Sequence, residues 1–81
     1  MNVSWAWSRK DAEKDLLGPF DTEMDAAAAA LRAHETEGRS SDVYIVVLIV
    51  DGVLMLDQRT WYEPRGLWAR VDQLRWSKFL R

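Results

Sequence analysis

The stretch VYIVVLIVDGVLML, residues 43–56, decides how this chain folds. Eight apolar residues run from Val43 to Val50 without alternation, and β-branched side chains dominate them. Such a run reads as a central strand covered on both faces, or covered on one face and paired with a partner on the other. Asp51-Gly52 follows, and then the apolar Val53–Leu56. Asp-Gly between two apolar runs is the strongest short signal for a hairpin, because both central residues of its tight turn need positive φ. The 14-residue stretch is interrupted by that charged turn, so it is too short to span a bilayer as a helix. The returning strand is expected to continue through DQRTWY, residues 57–62, before EPRG breaks the pattern.

Upstream, VSWAWS alternates, with Val3, Trp5 and Trp7 on one side and Ser4, Ala6 and Ser8 on the other. Period two with aromatics argues for a half-buried strand. LLGPF follows a polar stretch, and its proline confines it to an edge strand or a turn. Residues 3–20 therefore read as a loose hairpin. In DTEMDAAAAALRAHETEG, Asp21 or Thr22 can cap a helix, Glu23 and Asp25 suit its positive end, and five alanines favour its interior. The helix is predicted over about 22–36, with Met24, Ala27, Ala28 and Leu31 facing the core and Gly38 as a left-handed cap. The last segment, 66–80, reads as a second helix. Leu67, Trp68, Val71, Leu74 and Phe79 share one arc of its wheel, and Trp76 and Leu80 fall outside it.

The fold expected is α+β: a mainly antiparallel sheet of about four strands, in the order ββαββα, with the alanine-rich helix on one face. The amphipathic C-terminal helix is expected to cover the other face or to swap onto a second copy. At 81 residues, positions 1–81 make a single domain. Apolar residues at 48% and charged residues at 30% fit a soluble globular chain. The absence of Cys excludes disulfides and thiolate sites, and cytoplasmic residence follows as the expectation. The N-terminus lacks the basic-then-apolar pattern of a signal peptide. Net charge is −2, yet residues 1–57 carry 5 Lys/Arg against 11 Asp/Glu, and residues 58–81 carry 6 against 2. The near-matching imbalances, −6 and +4, favour a basic end lying against an acidic body over a phosphate-seeking tail.

Catalytic chemistry finds little support. His34 is the one histidine, and it falls near the helix end on the stripe of Leu31 and Ala27, a rim position rather than a base with partners. The carboxylates lie along a solvated face, and DTEMD lacks the geometry of a calcium loop. The glycines are isolated, so no phosphate-cradling loop is formed. No catalytic residue, metal site or cofactor is expected, and the chain reads as non-enzymatic.

Two binding readings remain. Arg65, Arg70, Arg75, Lys78 and Arg81 beside Trp68, Trp76 and Phe79 could contact phosphates and stack on bases. The cations spread around the helix, however, and the pI of about 5.3 is low for a nucleic-acid domain. A protein partner fits better. Five Trp are too many for one small core, and Trp, Tyr and Arg anchor interfaces. The expected docking residues are Trp61, Tyr62, Trp68, Arg70, Arg75, Trp76, Lys78 and Phe79. The partner is another protein or a second copy in a homodimer, with nucleic acid as the alternative and no membrane.

WAWSRK leading to GPFDT, and then an alanine-rich helix, resembles a pattern in small uncharacterised proteins of phages and prophages. The likeness covers about residues 4–48, with AEKDLL where a glycine-containing turn is usual, and leaves the C-terminal helix outside it. In that pattern Gly18-Pro19 turns the chain, Phe20 packs and Asp21-Thr22 caps the helix. The resemblance implies an accessory protein of the host cytoplasm that binds and inhibits a host macromolecule, as anti-CRISPR and other anti-defence proteins do.

Overall fold

A computed structural model of the chain describes residues 1–77. The elements are β1 (Val3–Arg9), β2 (Leu17–Phe20), α1 (Glu23–Glu37), β3 (Tyr44–Val50), β4 (Val53–Leu54), β5 (Thr60–Tyr62) and α2 (Pro64–Ser77). Every strand pair is antiparallel. The sheet runs β2-β1-β3-β4, and β5 pairs with β3 on the edge that β4 leaves open. The fold is α+β, and Lys78 and Phe79 lie outside the described residues.

β3 is the central strand. β1 pairs along its whole length, from Val3 opposite Val50 to Arg9 opposite Tyr44. Asp51 and Gly52 take φ of 50° and 80°, the positive values a two-residue hairpin turn requires. Asp51 also fastens the free end of β1: its carboxylate accepts from the Asn2 N–H at 2.7 Å, and its own N–H donates to Asn2 O at 2.7 Å.

The returning strand is not continuous through Tyr62. It stops at Leu54, and a 3-10 turn at Leu56–Gln58 pushes the chain out before β5 resumes pairing. Ile49 faces Leu54, whereas Ile45 faces Trp61. Four steps along β3 are therefore matched by seven on its partner. The excess of three residues is the 3-10 turn, whose polar Asp57 and Gln58 are more at home in water than in a ladder.

Side chains alternate across the sheet. Trp7, Tyr44 and Val46 meet the helices, while Ala6, Ser8, Ile45 and Val47 are buried on the opposite face. Thr22 caps the start of α1: its Oγ1 accepts from the Asp25 N–H at 3.1 Å. Its fully buried residues are Ala26, Ala27 and Ala30, with Met24, Ala28 and Leu31 half-buried. The buried stripe is thus turned from the one expected, because α1 is covered from two directions, by the sheet and by α2. Gly38 is extended at φ −79° and not left-handed. Its N–H donates to His34 O at 2.7 Å, and a Cβ there would strike His34, so close approach is what requires glycine.

α2 packs beside α1 on the same face of the sheet, which corrects the expectation that it covers the far face or leaves for another copy. A single residue, Glu63, links β5 to α2. Leu67 and Val71, one turn apart, then drop into the cluster formed by the alanines, Trp7, Tyr44 and Val46. The alanine stripe sets the helix-to-sheet spacing, so enlarging it forces the layers apart. Ala27→Leu is expected to destabilise the protein by about 2 kcal/mol and to lower its melting temperature by roughly 8–16 °C. Thermal unfolding followed by circular dichroism measures this, and an unchanged transition would show that the helix does not rest on this residue.

Candidate protein-binding surface

Pro64 opens α2, where its missing N–H is harmless. With Leu67 and Val71 turned inward, the opposite side of α2 faces water. Trp68, placed on the inward arc by the wheel, is 59% exposed, and Trp76 is 57% exposed. Trp68, Asp72 and Trp76 are spaced by four and form one stripe. The Trp76 indole Nε1–H donates to Asp72 Oδ1 at 3.1 Å, which sets the ring along the helix. The two indoles sit about 12 Å apart along the axis at 1.5 Å per residue. A small cleft of about 40 Å³, lined by Leu31, Trp68, Val71, Asp72 and Arg75, separates this stripe from α1.

The other expected docking residues go elsewhere. Tyr62 packs against the core cluster. Burial pushes its phenol pKa up, and the charge of Glu23 adds to this while Arg70 opposes it. Arg70 binds Glu23 with both arms of its fork, Nε to Oε2 at 3.0 Å and Nη2 to Oε1 at 2.8 Å. The hydrogen bond to Glu23 is the main cause of its raised pKa. This partly buried bidentate pair joins α2 to the first turn of α1, and contributes about 1–2 kcal/mol. It is a direct contact between the basic end and the acidic body.

Trp61 lies on the far side of the sheet. It pairs with Ile45, whose side chain points away from the helices, and it is 43% exposed. Lys10 Nζ stands 5.1 Å from the ring centroid and Arg59 Cζ 5.4 Å. Each such cation is worth about 0.5–1 kcal/mol at an exposed site. The expected docking set therefore divides: Trp68 and Trp76 on the α2 stripe with Arg75 in the cleft beside it, Trp61 on the other face, and Tyr62 and Arg70 within the fold.

Sequence reasoning missed a polar cluster where the end of β1 meets the start of β3. The Tyr44 hydroxyl and His34 Nδ1 are 2.9 Å apart in a hydrogen bond, and the two rings meet edge-on. Tyr44 O–H also lies 3.5 Å from Asp42 Oδ2. Arg9 spans Glu37 at 3.5 Å and Asp42 at 3.9 Å, with its guanidinium over the Tyr44 ring. Burial raises the Tyr44 pKa against the pull of Arg9. The Arg9 pKa is raised, chiefly by its interaction with Tyr44 and further by Glu37. His34 is thus a rim residue, as its helix position implied, and it fastens the end of α1 to β3. Among the described residues no three His, Asp or Glu side chains group to hold a metal ion, and no helix is long and apolar enough to cross a membrane.

No protein-family model, curated protein or solved structure matches this chain.

Burial of Tyr44 and Tyr62 makes stability pH-dependent. A raised phenol pKa means that the folded state keeps its proton where the unfolded state has lost it. The contribution is complete below the ordinary tyrosine pKa of about 10 and disappears as pH rises through the folded value. Urea unfolding at a series of alkaline pH values should show stability falling above about pH 10, with a shallower fall in Tyr62→Phe. Identical slopes in the two proteins would contradict the burial of this phenol.

Proposed function

We propose that this chain is a small non-enzymatic module that docks on a protein partner through the outer face of α2. The observation that carries the reading is the pair Trp68 and Trp76, two turns apart and both more than half exposed. Large indoles left in water are a standing loss of apolar burial, and they are the side chains that most often anchor protein interfaces. Arg75 lines the same cleft and adds a guanidinium to the patch. The partner's surface is accordingly an apolar groove or ridge with an acidic edge. A second copy of the chain is the homodimeric version of the same contact.

The N-terminal likeness supplies the setting: a phage- or prophage-encoded protein that binds and inhibits a host macromolecule in the host cytoplasm, in the manner of anti-CRISPR and other anti-defence proteins. The nucleic-acid alternative loses support from the commitment of Arg70 to Glu23.

Trp68→Ala and Trp76→Ala are each expected to weaken a captured partner, or the homodimer seen by light scattering, by roughly tenfold or more. Folding should be kept, because both rings are exposed. Trp61→Ala, on the opposite face, should bind as the unmodified chain does. A strict monomer whose partner binding ignores both α2 substitutions would contradict the proposal. A gel shift that weakens steeply with salt would move the function to nucleic acid.

A further inference from the structure

We infer that the sheet face turned away from the helices holds a binding site for a small apolar monocarboxylate. A cavity of about 270 Å³ opens there. Its walls are Leu16, Ile45, Val47, Leu54 and Leu56, drawn from β3, β4 and the two connections that fold over the sheet. Ser8 forms part of the lining and is only 2% exposed. Its Oγ has no hydrogen-bond partner among the described residues. Unsatisfied buried hydroxyls are uncommon in native proteins, because each loses its bonds to water without replacement. An apolar cavity with one unanswered donor fits a ligand that is mostly hydrocarbon and carries one acceptor group.

Charge in the lining identifies that group. Lys14 and Arg59 line the cavity together with the single carboxylate of Glu13, so cations are in excess. Arg59 also packs over Trp61, which holds its guanidinium near this face. Ser8 lies opposite Ile45, toward the start of β3, and Leu54 lies opposite Ile49 at its other end. A ligand along β3 therefore places its carboxylate by Ser8 and its hydrocarbon toward Leu54 and Leu56. The volume of about 270 Å³ lies just below the ~300–1,000 Å³ usual for ligand pockets, so it suits only a short acid, of about eight to ten carbons. This site is on the opposite side of the sheet from α2, and it stands or falls independently of the docking stripe.

Decanoate, below its micelle concentration, is the probe, with decanol as its uncharged counterpart. Isotope-labelled full-length chain should show saturable amide shifts centred on Ser8, Val47 and Leu54. Decanol should bind about tenfold more weakly, and Ser8→Ala and Arg59→Gln should each weaken decanoate by about tenfold, the effect of a lost hydrogen bond or ion pair to a carboxylate. Leu56→Trp, at an exposed position on the rim, should block binding while the spectrum of the fold is kept. Trp68→Ala should bind decanoate unchanged, which separates this result from the docking test. The inference is overturned if decanoate gives no saturable shifts, as when Ser8 holds a water that the acid does not displace. Equal affinities for decanoate and decanol, or a Ser8→Ala affinity equal to wild type, also overturn it.

Discussion

The distance between α1 and the sheet is set by three alanines, and the rest of the molecule is arranged around that distance. Ala26, Ala27 and Ala30 are fully buried and add little bulk from the helix side. The volume between the layers is filled from the sheet, by Trp7 and Tyr44, whose rings meet at a centroid distance of 6.0 Å and an angle of 52°. Large side chains on a rigid strand facing small ones on a helix make a dense layer from few residues. A chain of this length needs that economy, because it has little interior to spend on loose packing.

Because α1 sits so close, its neighbour can share the same face. α2 adds Leu67 and Val71 to the same cluster, and Glu23 and Arg70 tie the two helices together. Two consequences follow. On the outer half of α2, Trp68 and Trp76 both keep more than half of their surface exposed. Among the described residues no α-helix lies on the other face of the sheet; short connections cover it and leave a cavity beside a Ser8 hydroxyl that has no partner among those residues. Both candidate binding surfaces are by-products of stacking two helices on one side.

Much of this was legible in the sequence. The unbroken apolar run of β3, the Asp-Gly turn, the alternation of β1 and a helix cap at Asp21 or Thr22 each express a local rule, and the structure has each of them, the cap at Thr22. What escaped depends on contacts between distant segments. The phase of α1 differs from the sequence expectation because periodicity reports one buried face, and this helix is covered from two sides. The side of the sheet taken by α2 is invisible on a wheel, which fixes Leu67 and Val71 as inward without saying what lies inward. Trp61 and Tyr62 illustrate parity. Alternation guarantees that one faces the helices and the other does not. The three extra residues of the Leu56–Gln58 turn reverse the assignment relative to β4, and an insertion of odd length cannot be foreseen from composition. Arg70 was placed among docking residues because its partner, Glu23, lies 47 positions away.

The account rests on an uneven distribution of indoles: Trp7 sealed against the alanines, and Trp68 and Trp76 held outward on α2. Fluorine NMR of 5-fluorotryptophan-labelled protein, with each resonance assigned by single substitution, reads this directly through the change in shift on exchanging H2O for D2O. The account predicts large solvent shifts for Trp68 and Trp76 and almost none for Trp7. Solvent shifts for Trp68 and Trp76 as small as that of Trp7 would contradict it.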